Sequence, residues 1–116
     1  MNKEIADKWV EALRSGKYKQ TSGFLCRVFP DGKESYCCLG VLCDILGTPN
    51  EITKLANAKA YDGKYNYLPE SVVEKCDLKT SRGVIAHMSS NLSQINDRGE
   101  SFTTIADIIE KNWERL

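Results

Sequence analysis

The residues of this chain that are best suited by type to carry out a reaction are one cysteine and one histidine. Cys38 follows a predicted strand and begins a predicted helix, where the helix dipole favours a thiolate. Cysteine catalysis also needs a base, and His87 is the single histidine; Asp44, Asn96 or Asp97 could orient it. The alternative is that Cys38 packs as a small apolar side chain in an apolar segment. The spacing of the two residues favours neither the catalytic nor the packing interpretation. Cys38 and His87 are therefore catalytic candidates only if the protein is an enzyme.

Metal and phosphate chemistry find less support. Asp44, Asp97 and Asp107 would suggest metal-assisted chemistry if folding brought them together. The simpler interpretation puts Asp44 and Asp107 on helices and Asp97 in a turn. The cysteines lack the paired spacing of zinc knuckles, and no glycine-rich phosphate-binding loop occurs. We therefore expect no metal and no cofactor.

A third group of residues has the types needed to bind a small ligand. Aromatic rings stack on nucleobases, and arginine guanidinium groups bind phosphates through two hydrogen bonds. The alternative is that the tyrosines pack on a small sheet with their hydroxyls facing water. A 13.0 kDa chain has little interior room, so a binding pocket shared between subunits of a homo-oligomer would be expected. The candidate ligand-binding residues are Arg27, Tyr36, Tyr65, Arg82, Asn96 and Arg98.

Composition limits the possible classes of protein. The 116 residues include 16 Lys+Arg and 16 Asp+Glu, a formal net charge of zero that argues against non-specific nucleic-acid binding. No apolar run reaches the roughly 18 residues of a membrane span, and the polar start has no signal-peptide core, so we expect a cytoplasmic protein. Five cysteines cannot all pair within one chain, and reduced thiols are the expectation there.

Hydrophobic periodicity predicts the main elements. Residues 2–15 and the stretch from Ser101 onward have apolar residues at helical spacing, which predicts amphipathic helices near both ends. Residues 24–37 alternate around a Pro30-Asp31-Gly32 turn, which predicts a hairpin. From Cys38 the segment is apolar nearly all round, which predicts a buried central helix.

The rest of the chain has a less regular hydrophobic pattern and predicts shorter elements. Asn50 caps a predicted short helix through Ala56, and residues 59–67 predict a second hairpin around Asp62-Gly63. Pro69 opens another short helix, whereas residues 79–90 have no clear pattern. The whole predicts one α+β domain over residues 1–116: a small antiparallel sheet of hairpins packed with a buried central helix and N- and C-terminal amphipathic helices.

Three stretches of the sequence resemble a family of small proteins encoded widely in bacteriophage and prophage genomes. They are WVEALRSGKYKQ at residues 9–20, YCCLGVLCD at 36–44, and INDRGESF at 95–102 followed by IADII at 105–109. Together they cover about a third of the chain and imply one shared fold. The resemblance supplies no catalytic or ligand residues to transfer.

The resemblance does suggest a setting for the protein. Small phage proteins without evident catalytic residues often counter host defence, some by capturing nucleotide signals and others by blocking a defence protein. We therefore predict a phage-encoded, non-enzymatic binding protein that acts in the host cytoplasm and sequesters a small nucleotide-type signal. The alternatives are a protein–protein inhibitor or adaptor of a host protein, and a cysteine enzyme using Cys38.

Overall fold

The computed structural model describes residues 1–53 and 57–116, which form helices interleaved with short strands. In chain order the elements are α1 (Lys3–Arg14), β1 (Cys26–Val28), β2 (Glu34–Tyr36), α2 (Cys38–Ile45), β3 (Asn50–Thr53), β4 (Ala58–Tyr61), α3 (Glu70–Cys76), α4 (Leu92–Asp97) and α5 (Phe102–Asn112), with a 3₁₀ turn at Trp113–Arg115. This is the predicted α+β domain. None of these helices is long and apolar enough to cross a membrane.

The four strands form one antiparallel sheet in the order β2-β1-β4-β3. The predicted hairpin of residues 24–37 is confirmed, with Cys26 opposite Tyr36 across β1 and β2. Its turn ends at Gly32, whose φ of 83° lies in the left-handed region that glycine tolerates. Arg27 of β1 lies opposite Ala58 of β4, and this pairing joins the two halves of the sheet.

The second hairpin differs from its prediction. The Asp62-Gly63 turn forms, and its φ values of 48° and 83° are both positive, as a type I′ turn requires. Tyr61 and Lys64 bridge across it, but no strand follows in residues 65–67, and β4 pairs with β3 instead. The predicted helix from Asn50 is wrong over Asn50–Thr53, which is β3; its β-branched residues favour a strand. Residues 54–56 of that prediction lie outside the described residues.

Helix α2 is the predicted buried central helix, with every residue from Cys38 to Cys43 buried. Trp9 of α1 packs beside it and donates its indole N–H to the Cys38 carbonyl at 2.9 Å. On another side the backbone of α2 lies directly against Leu25, at Gly40, where a methyl group would overlap the Leu25 carbonyl. The central helix is therefore held on two sides by close contacts to its backbone.

The predicted amphipathic helices near the two ends are also confirmed, and they pack on each other. Asn2 caps α1 by accepting from the Ile5 N–H at 3.0 Å, and Ser101 caps α5. The guanidinium of Arg14 donates to Asp107 and Glu110 of α5 at 2.7 and 3.0 Å. The apolar faces of α1 and α5 thus close one side of the core, while the sheet covers another part of it.

Candidate functional site

The Cys38 thiol belongs to the core. Cys38 is the first residue of α2, as predicted, but it is 0% exposed and its Sγ lies 3.6 Å from the Leu92 carbonyl. Burial raises the pKa of this thiol well above its ordinary value, so it stays protonated at neutral pH. His87 is exposed on the surface. A buried protonated thiol and a surface imidazole do not form a nucleophile–base pair.

Cys37 lies one residue before Cys38, between β2 and α2. It is the N-cap of α2, and the N–H groups of Leu39 and Gly40 at the first turn favour its thiolate. Burial has the larger effect and raises the pKa of the Cys37 thiol to about 11. Cys37 is therefore also a protonated thiol at neutral pH.

Asn96 ties a loop to the start of α2. It is 2% exposed, and its Oδ1 accepts from the backbone N–H of Cys38 at 3.1 Å and from Nε2 of Gln20 at 2.9 Å. Its Nδ2 donates to the Thr21 carbonyl at 2.8 Å. With its amide occupied by these internal partners, Asn96 holds the fold together rather than facing a ligand.

Two other candidate ligand residues also have internal partners. Tyr36 is buried, and its ring meets Tyr18 edge-to-face with 5.0 Å between centroids. The Tyr18 hydroxyl in turn donates to Asp44 at 2.5 Å. Arg98 is exposed and donates to the hydroxyl of Ser90 at 2.8 Å. Tyr36 is therefore a core residue, and Arg98 is engaged at the end of α4.

Arg27, Tyr65 and Arg82, the other three candidates, lie on one surface with two further aromatic rings. The Arg27 guanidinium carbon is 4.9 Å from the ring centroid of Phe24, and the Phe24 ring is 6.2 Å from that of Tyr65. The Arg82 guanidinium carbon lies 4.3 Å from the ring centroid of Tyr67. These five residues are called the aromatic–arginine surface below.

A small cleft opens in this surface, and Phe24 and Tyr67 both line it. It has a volume of about 140 Å³ and is called the Phe24–Tyr67 cleft below. A second depression of about 320 Å³ is also lined by Phe24, together with Arg27. The lining of the Phe24–Tyr67 cleft is completed by Gly23, Cys37, Asn66, Ser93 and Asp97.

Backbone hydrogen bonds hold the segments of the cleft together. The Leu25 N–H donates to the Tyr65 carbonyl at 2.8 Å, which fixes the loop after β4 beside the start of β1. The Ser93 N–H donates to the Arg82 carbonyl at 3.2 Å, which anchors Arg82 to the first turn of α4. The capping box of Asn91 fixes the start of α4. The cleft is thus a feature of the folded core and not of one loop.

The three aspartates do not converge on a metal site. Asp97 accepts from the Gly23 N–H at 3.2 Å, Asp107 pairs with Arg14, and Asp44 accepts from Tyr18. Within residues 1–53 and 57–116 no group of three or more His, Cys, Asp or Glu side chains is placed to hold a metal ion. Among these carboxylates Asp97 alone lines the cleft.

The cleft residues with aromatic or charged side chains, Phe24, Tyr67 and Asp97, are not among the six ligand-binding candidates. Tyr67 could have been selected, because it lies in the same tyrosine-rich segment, residues 61–67, as the candidate Tyr65. Phe24 gave no such signal because its alternation with Leu25 indicated only a strand. Asp97 had been considered for metal binding, and its position beside aromatic rings depends on tertiary structure.

Comparison with known proteins gives a family and no further relative. Residues 1–113 match the model of the family described as Domain of unknown function (DUF8296). No match was found among curated proteins or among solved structures.

Proposed function

We propose that this chain, which belongs to the family described as Domain of unknown function (DUF8296), is a non-enzymatic binding protein for a small nucleotide-type molecule. The observation that carries the proposal is the aromatic–arginine surface with the Phe24–Tyr67 cleft in it. Aromatic rings offer stacking faces to a base, and the two guanidinium groups offer charge to phosphates.

The local charge of this surface supports an anionic ligand although the chain is neutral overall. Arg27 and Arg82 lie at the two sides of the aromatic cluster, each against a ring. Neither arginine has a salt bridge to a carboxylate within the part of the chain that the structure describes. Their positive charges therefore remain available for phosphate oxygens.

The burial of the thiols and the exposure of the histidine favour binding over catalysis. Burial holds the Cys37 and Cys38 thiols protonated, so they are poor nucleophiles. His87 is exposed, and the deeply buried Cys38 thiol offers it no accessible partner. A protein that only sequesters its ligand needs neither group.

The biological setting of the proposal rests on the resemblance to phage-encoded proteins. A small protein that captures a nucleotide signal in the cytoplasm of a host cell would lower the free concentration of that signal. In this proposal the chain antagonises host defence by sequestration, and its ligand is released unchanged when the protein unfolds.

A capture experiment tests this proposal. The purified protein is incubated with nucleotides, including cyclic ones, separated from free ligand, heated, and the released molecule identified by mass spectrometry. We expect an intact nucleotide from the unmodified protein and much less from Tyr67→Ala and Arg82→Ala. Arg98→Ala, an exposed arginine outside the surface, is the matched control and should retain capture. Recovery of a converted product would show an enzyme, and no recovery would refute capture.

A second candidate, an inhibitor or adaptor that binds a host protein, is favoured by one observation. β3 lies at the edge of the sheet, and Ile52 in it is 58% exposed. Edge strands with exposed apolar side chains recruit partner strands. A pull-down from host lysate with Ile52→Lys as control tests this candidate: a protein lost in the variant would support it, and identical recoveries would count against it.

A further inference from the structure

We infer that the Phe24–Tyr67 cleft holds a guanine-type base, whose ring edge donates hydrogen bonds to the carboxylate of Asp97. The inference rests on the proposed function and names the base within the nucleotide-type ligand. Guanine presents two adjacent N–H donors on its pairing edge, and an ionised carboxylate presents two adjacent acceptor oxygens. Adenine presents one donor beside an acceptor there and is a poorer partner for a carboxylate.

Asp97 has one oxygen fixed and one free. Its Oδ1 accepts from the backbone N–H of Gly23 at 3.2 Å and lies 3.5 Å from Nδ2 of Asn96. Its Oδ2 makes no hydrogen bond to any residue of 1–53 or 57–116. The Gly23 contact orients the carboxylate at the wall of the cleft. Oδ1 keeps one lone pair for a further bond because its 3.5 Å separation from Nδ2 of Asn96 exceeds the ordinary length of a hydrogen bond, and Oδ2 keeps its lone pairs as well.

The size of the cleft favours one base rather than a whole nucleotide. Its volume of about 140 Å³ is below the roughly 300 Å³ at which pockets for complete drug-sized ligands begin. The sugar and phosphates must then lie outside, on the aromatic–arginine surface. Arg82, which lies over the ring of the cleft residue Tyr67, is a positive group placed to receive them.

The charges around the cleft argue against an organic cation as the occupant. Aromatic rings next to a carboxylate also suit ammonium ligands. Here, however, guanidinium groups lie on two of the rings, Arg27 on Phe24 and Arg82 on Tyr67. They would repel a cation and attract the phosphates of a nucleotide, so the nucleotide is the better fit.

Affinities for GMP, AMP, CMP, UMP and choline, measured by isothermal titration calorimetry, test the inference. We expect the unmodified protein to bind GMP about tenfold or more tighter than AMP, since hydrogen bonds to a carboxylate discriminate strongly. Asp97→Asn keeps an oxygen for the Gly23 N–H but loses the charge and one acceptor, so the preference for GMP should fall below about twofold. Glu100→Gln removes a negative charge from an exposed position three residues along the chain and should keep the preference for GMP.

The outcomes separate this inference from the proposed function. Equal binding of GMP and AMP, or a GMP preference that survives Asp97→Asn, would overturn the guanine assignment and leave nucleotide capture standing. Binding of none of these nucleotides would overturn the guanine assignment, and the capture experiment described above would then decide the proposed function. Choline bound more tightly than GMP would show a cation site and also overturn both. Circular dichroism melting of each variant checks that it is folded. If Asp97→Asn is unfolded, Asp97→Ser, which keeps a short acceptor, is used in its place.

Discussion

Replacing Gly40 with alanine should strongly destabilise this protein, although the same change usually stabilises a helix. Gly40 lies within α2, where alanine is favoured over glycine by about 1 kcal/mol on helix propensity alone. In the folded protein, however, the added methyl carbon would lie 2.5 Å from the Leu25 carbonyl carbon and closer still to its oxygen. The obstacle is backbone, which cannot rotate away as a side chain can.

The size of the effect follows from what must move. To clear the methyl group α2 has to shift away from Leu25 by more than about 1 Å, which disrupts native core packing. That shift breaks the hydrogen bond from the Cys37 N–H to the Leu25 carbonyl, now 3.3 Å long, and loosens the buried side chains on both segments. Overpacking and one lost hydrogen bond together predict a loss of about 3 kcal/mol or more in the free energy of unfolding.

Chemical denaturation and thermal melting of Gly40→Ala provide the assay. For a chain of this size the loss corresponds to a melting temperature lower by roughly 10–15 °C. Gly47→Ala is the matched control: at Gly47 φ is 63° and, apart from its chain neighbours, no atom of residues 1–53 or 57–116 lies within 4 Å of the added methyl, so only the left-handed backbone is strained, by about 1 kcal/mol. A Gly40→Ala protein as stable as the unmodified one, or more stable than Gly47→Ala, would refute this close packing.

Three other predictions concern buried and paired polar groups. Tyr61→Phe should leave the free energy of unfolding unchanged or raise it by about 1 kcal/mol, because this hydroxyl is buried and bonds to none of the described residues; a loss of stability in denaturant titrations would show a hidden partner. Arg14→Gln should lower the melting temperature most near neutral pH and low salt. Arg14 depresses the pKa of Glu110, so this stabilisation is present above the ordinary glutamate pKa and is lost as pH falls through the lowered one; a difference that persists in acid would contradict the pairing. All five cysteines are free and buried with raised thiol pKa values, so Ellman's reagent should modify them only as fast as the protein opens, and rapid labelling of any one at neutral pH would contradict that burial.

The elements that sequence predicts well are those whose pattern is local. α1 and α5 have long amphipathic repeats with capping residues, and the β1–β2 hairpin has strong turn residues, so neighbouring residues alone define them. β3 was mistaken for a helix because its register with β4 is set by tertiary pairing. The Asp62-Gly63 turn was identified correctly, but the sequence did not reveal which strand would pair with β4.

The candidate site was harder to predict because its residues come from four separate parts of the chain. Phe24, Cys37, Tyr67 and Asp97 meet only after the sheet and α4 have packed around α2. Residue type identified Arg27, Tyr65 and Arg82 as ligand candidates, and these three do share a surface. The same reasoning also selected Tyr36 and Asn96, since composition does not distinguish an aromatic or amide group in the core from one at the surface.

The packing of α1 against α5 also constrains how the protein is made. Among the α-helices named above, α1 is synthesised before the others and α5, which covers its apolar face, is synthesised after them. The residues of all four strands lie between the two helices in the sequence. On the ribosome the side of α1 that contacts α5 in the folded protein therefore remains without its partner until α5 emerges, whereas the Trp9 indole can already pair with Cys38 of α2. Contacts of such high sequence separation slow folding, so the native core should close only after nearly all of the residues described here have been released from the exit tunnel.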